Sequence, residues 1–369
     1  MKITLKRTPE QIELVKAMAS RNRSVAYEAQ VALAEFIGPV LAEVINNAPT
    51  ISSLFTSLQF NADDNPSIPL DLYHDINDED YITVYSQSHA GGLPTNQVLP
   101  TASELKIATY SLDTAVSFDR RYAAKSRMDV VSKTFTRAAQ EILSKQETTS
   151  AALVMGTLED AETAGTDHVR ASTTNGRFIL DDINKMMTLS KRINGSFLGG
   201  TAAAGQSRGI TDLIVSPEVV EDLRAMAYNP INTVDSDGSA LAANDRGIAG
   251  PDELRMSVYN TAGLPEFYGI SIMEILELGA GKRFTNLFSG THGGVTFAAA
   301  DDLVIGLDRS RDSLIRAVAV DEDSGGEFNL IADDQYSIRQ NKIGYFGSLE
   351  EGRMIVDNRA LTATIVDAA

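Results

Sequence analysis

The stretch Tyr110-Ser-Leu-Asp-Thr-Ala-Val-Ser-Phe118, with the residues that follow it, decides the fold. Within it, large apolar residues alternate with small or polar ones, which is the two-residue period of a strand with one buried face. After Asp119, which can cap a helix, apolar residues repeat at steps of three and four: Met128, Val131, Phe135, Ala138, Ile142 and Leu143. This change of period predicts a strand leading into a spine helix over residues 120–155, about 50 Å long at about 1.5 Å per residue.

Residues 1–52 predict an N-terminal helical arm. Thr8 can cap a first helix, with Pro9 at its first position. A second helix begins near Ser24 and ends in the run Asn46-Asn-Ala-Pro49, with Gly38-Pro39 expected to interrupt it. Its apolar stripe has near-helical spacing; the stripe consists of Val31, Leu33, Phe36, Ile37, Val40, Leu41, Val44 and Ile45. An amphipathic arm of this kind needs a surface to lie against.

Residues 53–118 predict a long projecting hairpin with flanking strands. Tyr81-Ile-Thr-Val-Tyr85 has the β-branched and aromatic residues of a strand, and we expect it to pair with the strand at 110–118. The tip is expected near Gly91-Gly92. So long a segment with little helix is unusual inside a compact domain and is typical of a functional extension.

The rest of the chain predicts two further units and an α+β fold. Residues 119–209 form a domain with the spine helix, a polar loop and a helix at 181–193. Residues 210–332 open with a buried strand at 211–215, and Ser216-Pro217-Glu218 starts the next helix. Residues 333–369 are predicted as strands that return to the first domain. The strands expected in the second half lie at 268–273, 286–288, 294–297, 312–320, 328–331, 336–346, 354–356 and 361–366.

Charge and composition restrict the function. The net charge of −18, from 50 acidic and 32 basic residues, argues against a surface that binds nucleic acid. With no cysteine, disulfides, thiolate metal sites and cysteine nucleophiles are excluded. The basic segment Met1–Arg7 has no apolar run behind it, so no signal peptide is expected, and no apolar stretch approaches the roughly 18 residues of a membrane span. Synthesis in the cytoplasm is therefore expected.

Motifs for chemistry are incomplete wherever they occur. Gly200-Thr-Ala-Ala-Ala-Gly205 has phosphate-loop spacing, but Gln206 stands where lysine is required. None of the four histidines is spaced i, i+4 for a helical zinc site. The acidic run at 75–80 lacks the later glycine and glutamate of a calcium loop. We therefore expect no enzyme, no catalytic residue, no cofactor and no metal site.

The order of these segments resembles the Hong Kong 97 (HK97) family of tailed-bacteriophage major capsid proteins. That family has an N-arm, an extended loop called the E-loop, a peripheral domain with a spine helix, and an axial domain. The similarity is strengthened by Asp212-Leu-Ile-Val-Ser-Pro-Glu-Val-Val-Glu-Asp-Leu223, by Leu264-Pro-Glu-Phe-Tyr-Gly-Ile-Ser-Ile272 and by Gly352-Arg-Met-Ile-Val-Asp-Asn-Arg-Ala-Leu361. Because no lysine lies between Phe60 and Leu105, the E-loop crosslink of some members is not expected.

The resemblance implies a shell subunit that assembles with itself into pentamers and hexamers of an icosahedral virion head. It would enclose double-stranded DNA without sequence-specific binding, with a portal and scaffolding or decoration proteins as partners and no membrane. The subunit contacts expected in the E-loop involve Tyr81, Ile82, Val84, Tyr85, Gly91 and Gly92. Those expected in the N-arm involve Phe36, Ile37, Val40, Leu41 and Val44.

Three alternatives stay open at this point. An encapsulin-type compartment would share the fold and package an enzyme. A phage tail or baseplate protein would also be acidic, cysteine-free and rich in strands, although the long helix after a hairpin argues against it. An unrecognised soluble enzyme is the third.

Overall fold

Two β-sheets and a long helix that crosses both organise the chain. The computed structural model describes residues 8–46, 48, 50–61, 65–69, 104–163, 165–193, 209–228, 266–267, 269–320, 327–333 and 340–367. The helices are α1 (Pro9–Ala17), α2 (Arg23–Asn46), α3 (Arg120–Ala124), α4 (Met128–Glu159), α5 (Leu180–Ile193) and α6 (Pro217–Tyr228). Short 3₁₀ helices occur at Ile51–Leu54, Thr285–Leu287, Arg309–Arg311 and Asn358–Ala360.

The strands confirm the α+β class. They are β1 (Thr56–Asn61), β2 (Ser67–Pro69), β3 (Glu104–Lys106), β4 (Thr109–Asp119), β5 (Glu162–Thr163), β6 (Thr166–Asp167), β7 (Val169–Ala171), β8 (Asp212–Val215), β9 (Glu266–Phe267), β10 (Ile270–Glu274), β11 (Thr291–His292), β12 (Val295–Thr296), β13 (Asp302–Leu307), β14 (Leu314–Val320), β15 (Asn329–Asp333), β16 (Lys342–Ile355) and β17 (Leu361–Val366).

The first sheet is built around β16. One edge of β16 pairs with β4 in an antiparallel ladder from Lys342–Asp119 to Gly352–Thr109. Its other edge pairs first with β15 and then with β14, and β1 joins β14 in parallel. The side chains of β16 alternate between the two faces, so Tyr345 is buried in the core while Phe346 is exposed.

The second sheet has the order β7-β17-β13-β8-β10-β9. Its central strands, β8, β13 and β17, are buried along their whole length. This burial follows from cover on both faces: α5 and α6 contribute to the apolar cluster on one side, and the end of α4 contributes to the cluster on the other.

Helix α4 connects the cores of the two sheets. Its first half buries Val131, Phe135 and Ala139 in the cluster that also contains Tyr345 of β16. Its last turns bury Val154 and Leu158 in the cluster under β13 and β17. A helix of 32 residues is about 48 Å long, which is enough to reach both clusters.

The spine helix is shorter at its start than predicted. The expected helix over 120–155 is divided into α3 and α4 because Ser126 adopts a left-handed conformation, with φ of 52°. It also continues to Glu159, past the predicted end. In contrast, Gly38-Pro39 does not interrupt α2, which runs unbroken through Pro39. Ile37 and Leu41 on either side of the proline are buried in one cluster, and this packing holds the helix together.

The predicted pairing of the strand at 110–118 with residues 81–85 stays a prediction. The strand at 110–118 is present as β4, but its observed partner is β16, and the segment 81–85 lies outside the described residues. The predicted strand at 286–288 is wrong, since Thr285–Leu287 forms a 3₁₀ helix. Strands β14 and β15 lie in the same sheet as β4, whereas β17 lies in the second sheet. The sheets therefore do not follow the predicted division at residues 210–332 and 333–369.

Alanine substitution at two glycines should change the free energy of unfolding in opposite directions. A Cβ at Gly352 of β16 would lie 2.7 Å from the backbone oxygen of Ala108, so Gly352→Ala should lower the free energy of unfolding by about 1–3 kcal/mol. Nothing lies within 4 Å of a Cβ at Gly156 in α4, so Gly156→Ala should raise it by up to about 1 kcal/mol. Urea denaturation of both variants measures this, and equal effects would contradict the packing described at Gly352.

Candidate interaction surface

Helix α2 presents a strip of apolar side chains to solvent. Val25, Phe36 and Val40 are 41%, 52% and 37% exposed. Residues 36 and 40 are one turn apart and residues 25 and 36 are three turns apart, so the three lie on one face of the helix. Exposed large apolar side chains grouped in this way mark a surface suited to binding another protein.

The predicted contact residues of the arm are split between two faces. Ile37 and Leu41 are only 1% exposed and pack in the chain's own core with Phe135 and Tyr345. Val44 is partly buried against the same cluster. The expectation that the whole stripe waits for a neighbouring subunit is therefore wrong for Ile37 and Leu41, because the first sheet of the same chain covers them. For Phe36 and Val40 it stays a prediction.

A groove of about 530 Å³ lies between α2 and β15. Its lining is mainly apolar and includes Tyr27, Val31, Ala34, Pro39, Leu330 and Ile331. Tyr27 and Ile331 are 42% and 49% exposed at this groove. One edge of β15 pairs with β16, and no described strand pairs with its other edge. The groove thus combines apolar side chains with a strand edge, the two features that bind extended segments in other proteins.

The outer face of the first sheet continues this apolar surface. Ile331 of β15 is opposite Phe346 of β16, which is in turn opposite Ala115 of β4. All three residues are exposed. The row lies on the face of the sheet opposite α4, because Tyr345, the neighbour of Phe346, packs edge-on against Phe135 of that helix at a ring distance of 5.2 Å.

A short two-stranded stem marks the base of the predicted E-loop. Strands β2 and β3 pair from Ser67–Lys106 to Pro69–Glu104. Ile68 and Ile107 are buried against Ala317 of β14, so the first sheet fixes the stem. The residues predicted for E-loop contacts, Tyr81, Ile82, Val84, Tyr85, Gly91 and Gly92, lie outside the described residues.

Beneath this surface, a buried carboxylate gathers charged and polar side chains from several elements. Glu351 of β16 is fully buried, and its Oε2 accepts a hydrogen bond from Arg316 Nε at 2.8 Å. Arg353 Nη2 donates to Glu351 Oε1 at 3.1 Å. Tyr110 of β4 donates to Oε1 at 2.8 Å and Gln146 of α4 to Oε2 at 2.9 Å. We call Tyr110, Gln146, Arg316, Glu351 and Arg353 the Glu351 cluster.

Two more contacts extend the cluster towards the arm. Arg316 Nη1 donates to Asn46 Oδ1, at the last residue of α2, at 3.0 Å. The guanidinium of Arg353 also lies 5.5 Å from the ring centre of Phe55, just before β1. The cluster therefore fixes the start of the first sheet relative to the arm and the spine helix.

The arginines determine the charge state of Glu351. Burial alone would raise the pKa of this carboxyl, but Arg353 and Arg316, with the hydrogen bonds they and Tyr110 donate, lower it below its usual value. Burial and the neighbouring Glu351 raise the pKa of Tyr110 to about 12, so this hydroxyl stays a donor. Glu351 is thus a stable anion that accepts hydrogen bonds from four neighbouring side chains.

A second buried carboxylate holds the chain between α2 and β1. Glu147 of α4 accepts hydrogen bonds from the backbone N–H groups of Ile51 and Ser52 at 2.9 and 3.3 Å. These N–H groups belong to the first turn of a 3₁₀ helix, which leaves them without partners inside the helix. Burial raises the pKa of Glu147, and the two N–H donors offset part of this increase.

Sequence reasoning missed the Glu351 cluster, although a signal for it was present. Residues 343, 345, 347, 349, 351 and 353 fall on one face of a continuous strand. An acidic and a basic residue at the last two of these positions predict an internal ion pair, once the strand is recognised as extending beyond residue 346.

Removing the buried charge should destabilise the whole first sheet. Glu351→Gln leaves Arg316 and Arg353 buried without a counter-ion, so the free energy of unfolding should fall by about 3–5 kcal/mol. Glu350→Gln is the matched control, since its side chain is on the opposite face. Urea denaturation compares the two variants, and a change below about 1 kcal/mol for Glu351→Gln would contradict the role assigned to the cluster.

The same carboxylate predicts a pH dependence. Because the folded-state pKa of Glu351 is below the ordinary value of 4.5, its stabilisation is present above that pH and is lost as the pH falls through the folded-state value. The difference in unfolding free energy between the wild-type chain and Glu351→Gln should therefore shrink on acidification from about pH 6 to about pH 3. A difference that grows on acidification would contradict this sign.

Metal-ligating side chains are not clustered in the described residues. No group of three or more His, Cys, Asp or Glu side chains suitable for a metal ion occurs among them. His168 accepts or donates one bond with Thr163, at 2.8 Å, and His292 contacts Asp167 at 3.0 Å. Both histidines are buried. Within the part of the chain that the structure covers, no helix is both long and apolar enough to cross a bilayer.

This chain is similar in fold to several solved structures. No family model and no curated protein matches the chain. Among solved structures, a capsid of an empty GTA particle is 12% identical with a TM-score of 0.49, covering 87% of this chain and 91% of that one. The bacteriophage PhiM1 mature capsid is 11% identical with a TM-score of 0.47, covering 85% and 86%. A holo-SrpI encapsulin complex from Synechococcus elongatus PCC 7942 is 12% identical with a TM-score of 0.39, covering 72% and 77%. Over most of its length, this chain is similar in fold to solved capsids of a GTA particle and of a bacteriophage and to an encapsulin complex.

Proposed function

We propose that this chain is the major capsid protein of an HK97-type phage particle, a subunit that assembles with copies of itself into a shell around double-stranded DNA. The observation that carries the proposal is the apolar groove between α2 and β15, together with the exposed apolar strip on another side of α2 and the exposed row on the first sheet. These surfaces lie on rigid elements whose opposite faces are packed in the core. Such surfaces are typical of proteins that bind partners rather than transform small molecules.

The E-loop, residues 70–103, would form one intersubunit contact. At its base, Pro69 and Glu104 pair in the β2–β3 stem, which packs against the first sheet. A two-stranded ribbon is marginally stable alone in water. It would therefore gain its missing apolar contacts on a neighbouring subunit, with Ile82 and Val84 on one face.

The exposed part of the arm would form a second contact. Phe36 and Val40 point away from the core, so they are free to pack against an adjacent subunit. No covalent bond is required, because each subunit takes part in several such contacts at once and their effects accumulate. Contacts of this obligate type typically bury about 2,000–5,000 Å².

The net negative charge of the chain is compatible with DNA inside the proposed shell. With 18 more acidic than basic residues, the wall would repel the DNA backbone and leave the polymer mobile. Pentamers and hexamers of this chain would make up the shell, with a portal and scaffolding or decoration proteins as further partners in the virion.

Substitution in the E-loop tests the first contact. The double variant Ile82→Asp, Val84→Asp should abolish shells while leaving a folded subunit, because it places charge on the face that would meet the neighbour. Thr83→Asp, on the other face of the same strand, is the matched control and should still assemble. Negative-stain electron microscopy and circular dichroism provide the two measurements. Normal particles from the double variant would count against the E-loop contact.

Substitution on α2 tests the second contact. Phe36→Asp should reduce assembly with little loss of subunit stability, since this side chain is about half exposed. Phe36→Leu keeps an apolar side chain at the same position and should assemble normally. Sedimentation velocity separates subunits from shells. Equal assembly of the two variants would remove Phe36 from the interface.

The contents of the particles decide between two kinds of shell. Nuclease-protected DNA in purified particles is the expected result for a virion head. Particles that instead retain a specific enzyme and no DNA would identify an encapsulin-type compartment, and a small oligomer with no particles would refute shell formation altogether.

A further inference from the structure

The groove between α2 and β15 has an acidic rim on its helical side. Glu35 lines the groove, and Glu28 and Glu43 are the sequence neighbours of Tyr27 and Ala42, the first and last residues of α2 in its lining. All three glutamates are exposed, and no described cation forms an ion pair with any of them. They are seven and eight residues apart, which is about two helical turns in each case, so they lie on one side of α2. The rim is therefore a row of unpaired negative charge.

The walls of the groove define what can fill it. One edge of β15 has no partner among the described strands, so an extended segment can hydrogen-bond to it. Val31, Leu330 and Ile331 offer apolar contacts. The glutamates of the rim favour basic side chains. Native proteins usually cover or protect a free strand edge of this kind.

Residues 2–6, which lie outside the described residues, have each of these properties in their sequence. In Lys2-Ile-Thr-Leu-Lys6, apolar residues alternate with basic or polar ones, the period of a strand. The stretch matches the five residues of β15 in length. Arg7 adds a third positive charge, and residues 1–7 contain no acidic residue.

The spacing of the charges also agrees. In a strand, Lys2 and Lys6 would be about 13 Å apart, at about 3.3 Å per residue. Successive glutamates of the rim are separated by about 11 and 12 Å along α2, at about 1.5 Å per residue. Two lysines can therefore each lie beside a different glutamate.

The segment is attached close to the groove. It ends at Thr8, which caps α1, and α1 packs against α2. Helix α1 has nine residues and is about 14 Å long. Six extended residues before Thr8 span at most about 22 Å. Docking within the same chain is favoured by this tether, which gives an effective concentration on the order of millimolar.

We propose that residues 2–6 dock in the α2–β15 groove of their own chain, as an added strand on the free edge of β15. Ile3 and Leu5 would contact the apolar lining, and Lys2 and Lys6 would lie beside the glutamates of the rim. The docked segment covers the groove in the unassembled subunit, so that a neighbouring subunit has to displace it. This deepens the proposed function and rests on it in one respect, namely that the groove is also a contact of the shell.

Hydrogen–deuterium exchange of residues 329–333, in the unassembled full chain, tests the docking. The double variant Ile3→Asp, Leu5→Asp should exchange at least about tenfold faster than the wild-type chain, because the edge of β15 loses its cover. Ile3→Val, Leu5→Val keeps apolar side chains and is the matched control, with exchange within about twofold of wild type. Circular dichroism checks that each chain is folded.

Two results would overturn the proposal. Equal exchange in the wild-type chain and the aspartate variant would show that the segment does not cover β15. Protection that increases with chain concentration would assign the groove to the segment of a second copy. A change of NaCl from about 0.05 to about 0.5 M should speed exchange severalfold in the wild-type chain alone, because salt screens exposed charges. Equal salt effects in both chains would remove the lysines from the contact.

Sedimentation velocity measures the competition with assembly. Freed of its cover, the aspartate variant should form shells at a concentration at least about threefold lower than the wild-type chain. An unchanged or higher threshold would show that the segment does not compete with a neighbouring subunit. The two proposals fail separately: chains that never form shells refute the shell function but leave the docking, whereas shells without protection of β15 refute the docking alone.

Discussion

The buried ion pairs of Glu351 are the interaction on which the rest of the first sheet depends. A single carboxylate accepts from two arginines, a tyrosine and a glutamine that come from β14, β16, β4 and α4. Burying charges is costly, and a buried pair often adds no more stability than apolar residues would. What it adds here is geometric specificity, because the donors fit only one arrangement of the strands. The arm and the entry to β1 are fixed by the same arrangement through Asn46 and Phe55.

Because the Glu351 cluster fixes α2 relative to the first sheet, this helix can both pack in the core and present an exposed apolar face. Ile37 and Leu41 fasten α2 to the sheet, and consecutive residues differ by about 100° around a helix, so Phe36 and Val40 point elsewhere. The groove beside β15 depends on the same attachment, since it exists only while α2 and the strand keep their spacing. An interaction surface of this kind is preformed, and little conformational entropy is lost when a partner binds it.

The extent to which the sequence predicts this structure depends on the range of the interactions. Local periodicity correctly predicts β4, α5 and the strand–helix unit of β8 and α6, since each is encoded within a few residues. It does not predict the break at Ser126 or the continuity of α2 through Pro39, where tertiary packing overrides local preference. The pairing of β4 with β16 is not predicted either, because the two strands are more than two hundred residues apart. On the candidate surface, periodicity locates the apolar stripe of the arm. It does not distinguish the residues that pack in the chain's own core from those that are exposed. Only the burial of individual residues separates Phe36 from Ile37.

The pairing of β4 with β16 has a consequence for how the chain is made. Phe118 is opposite Ile343, so 343 − 118 = 225 residues must be synthesised before this contact can form. At about 5–20 residues per second, this takes roughly 11–45 s on the ribosome. Throughout that interval the apolar face of β4, the inner face of α2 and the first half of α4 have no sheet to cover them. The nascent chain is therefore exposed to aggregation for most of its translation, and chaperones that bind apolar segments would act during this period.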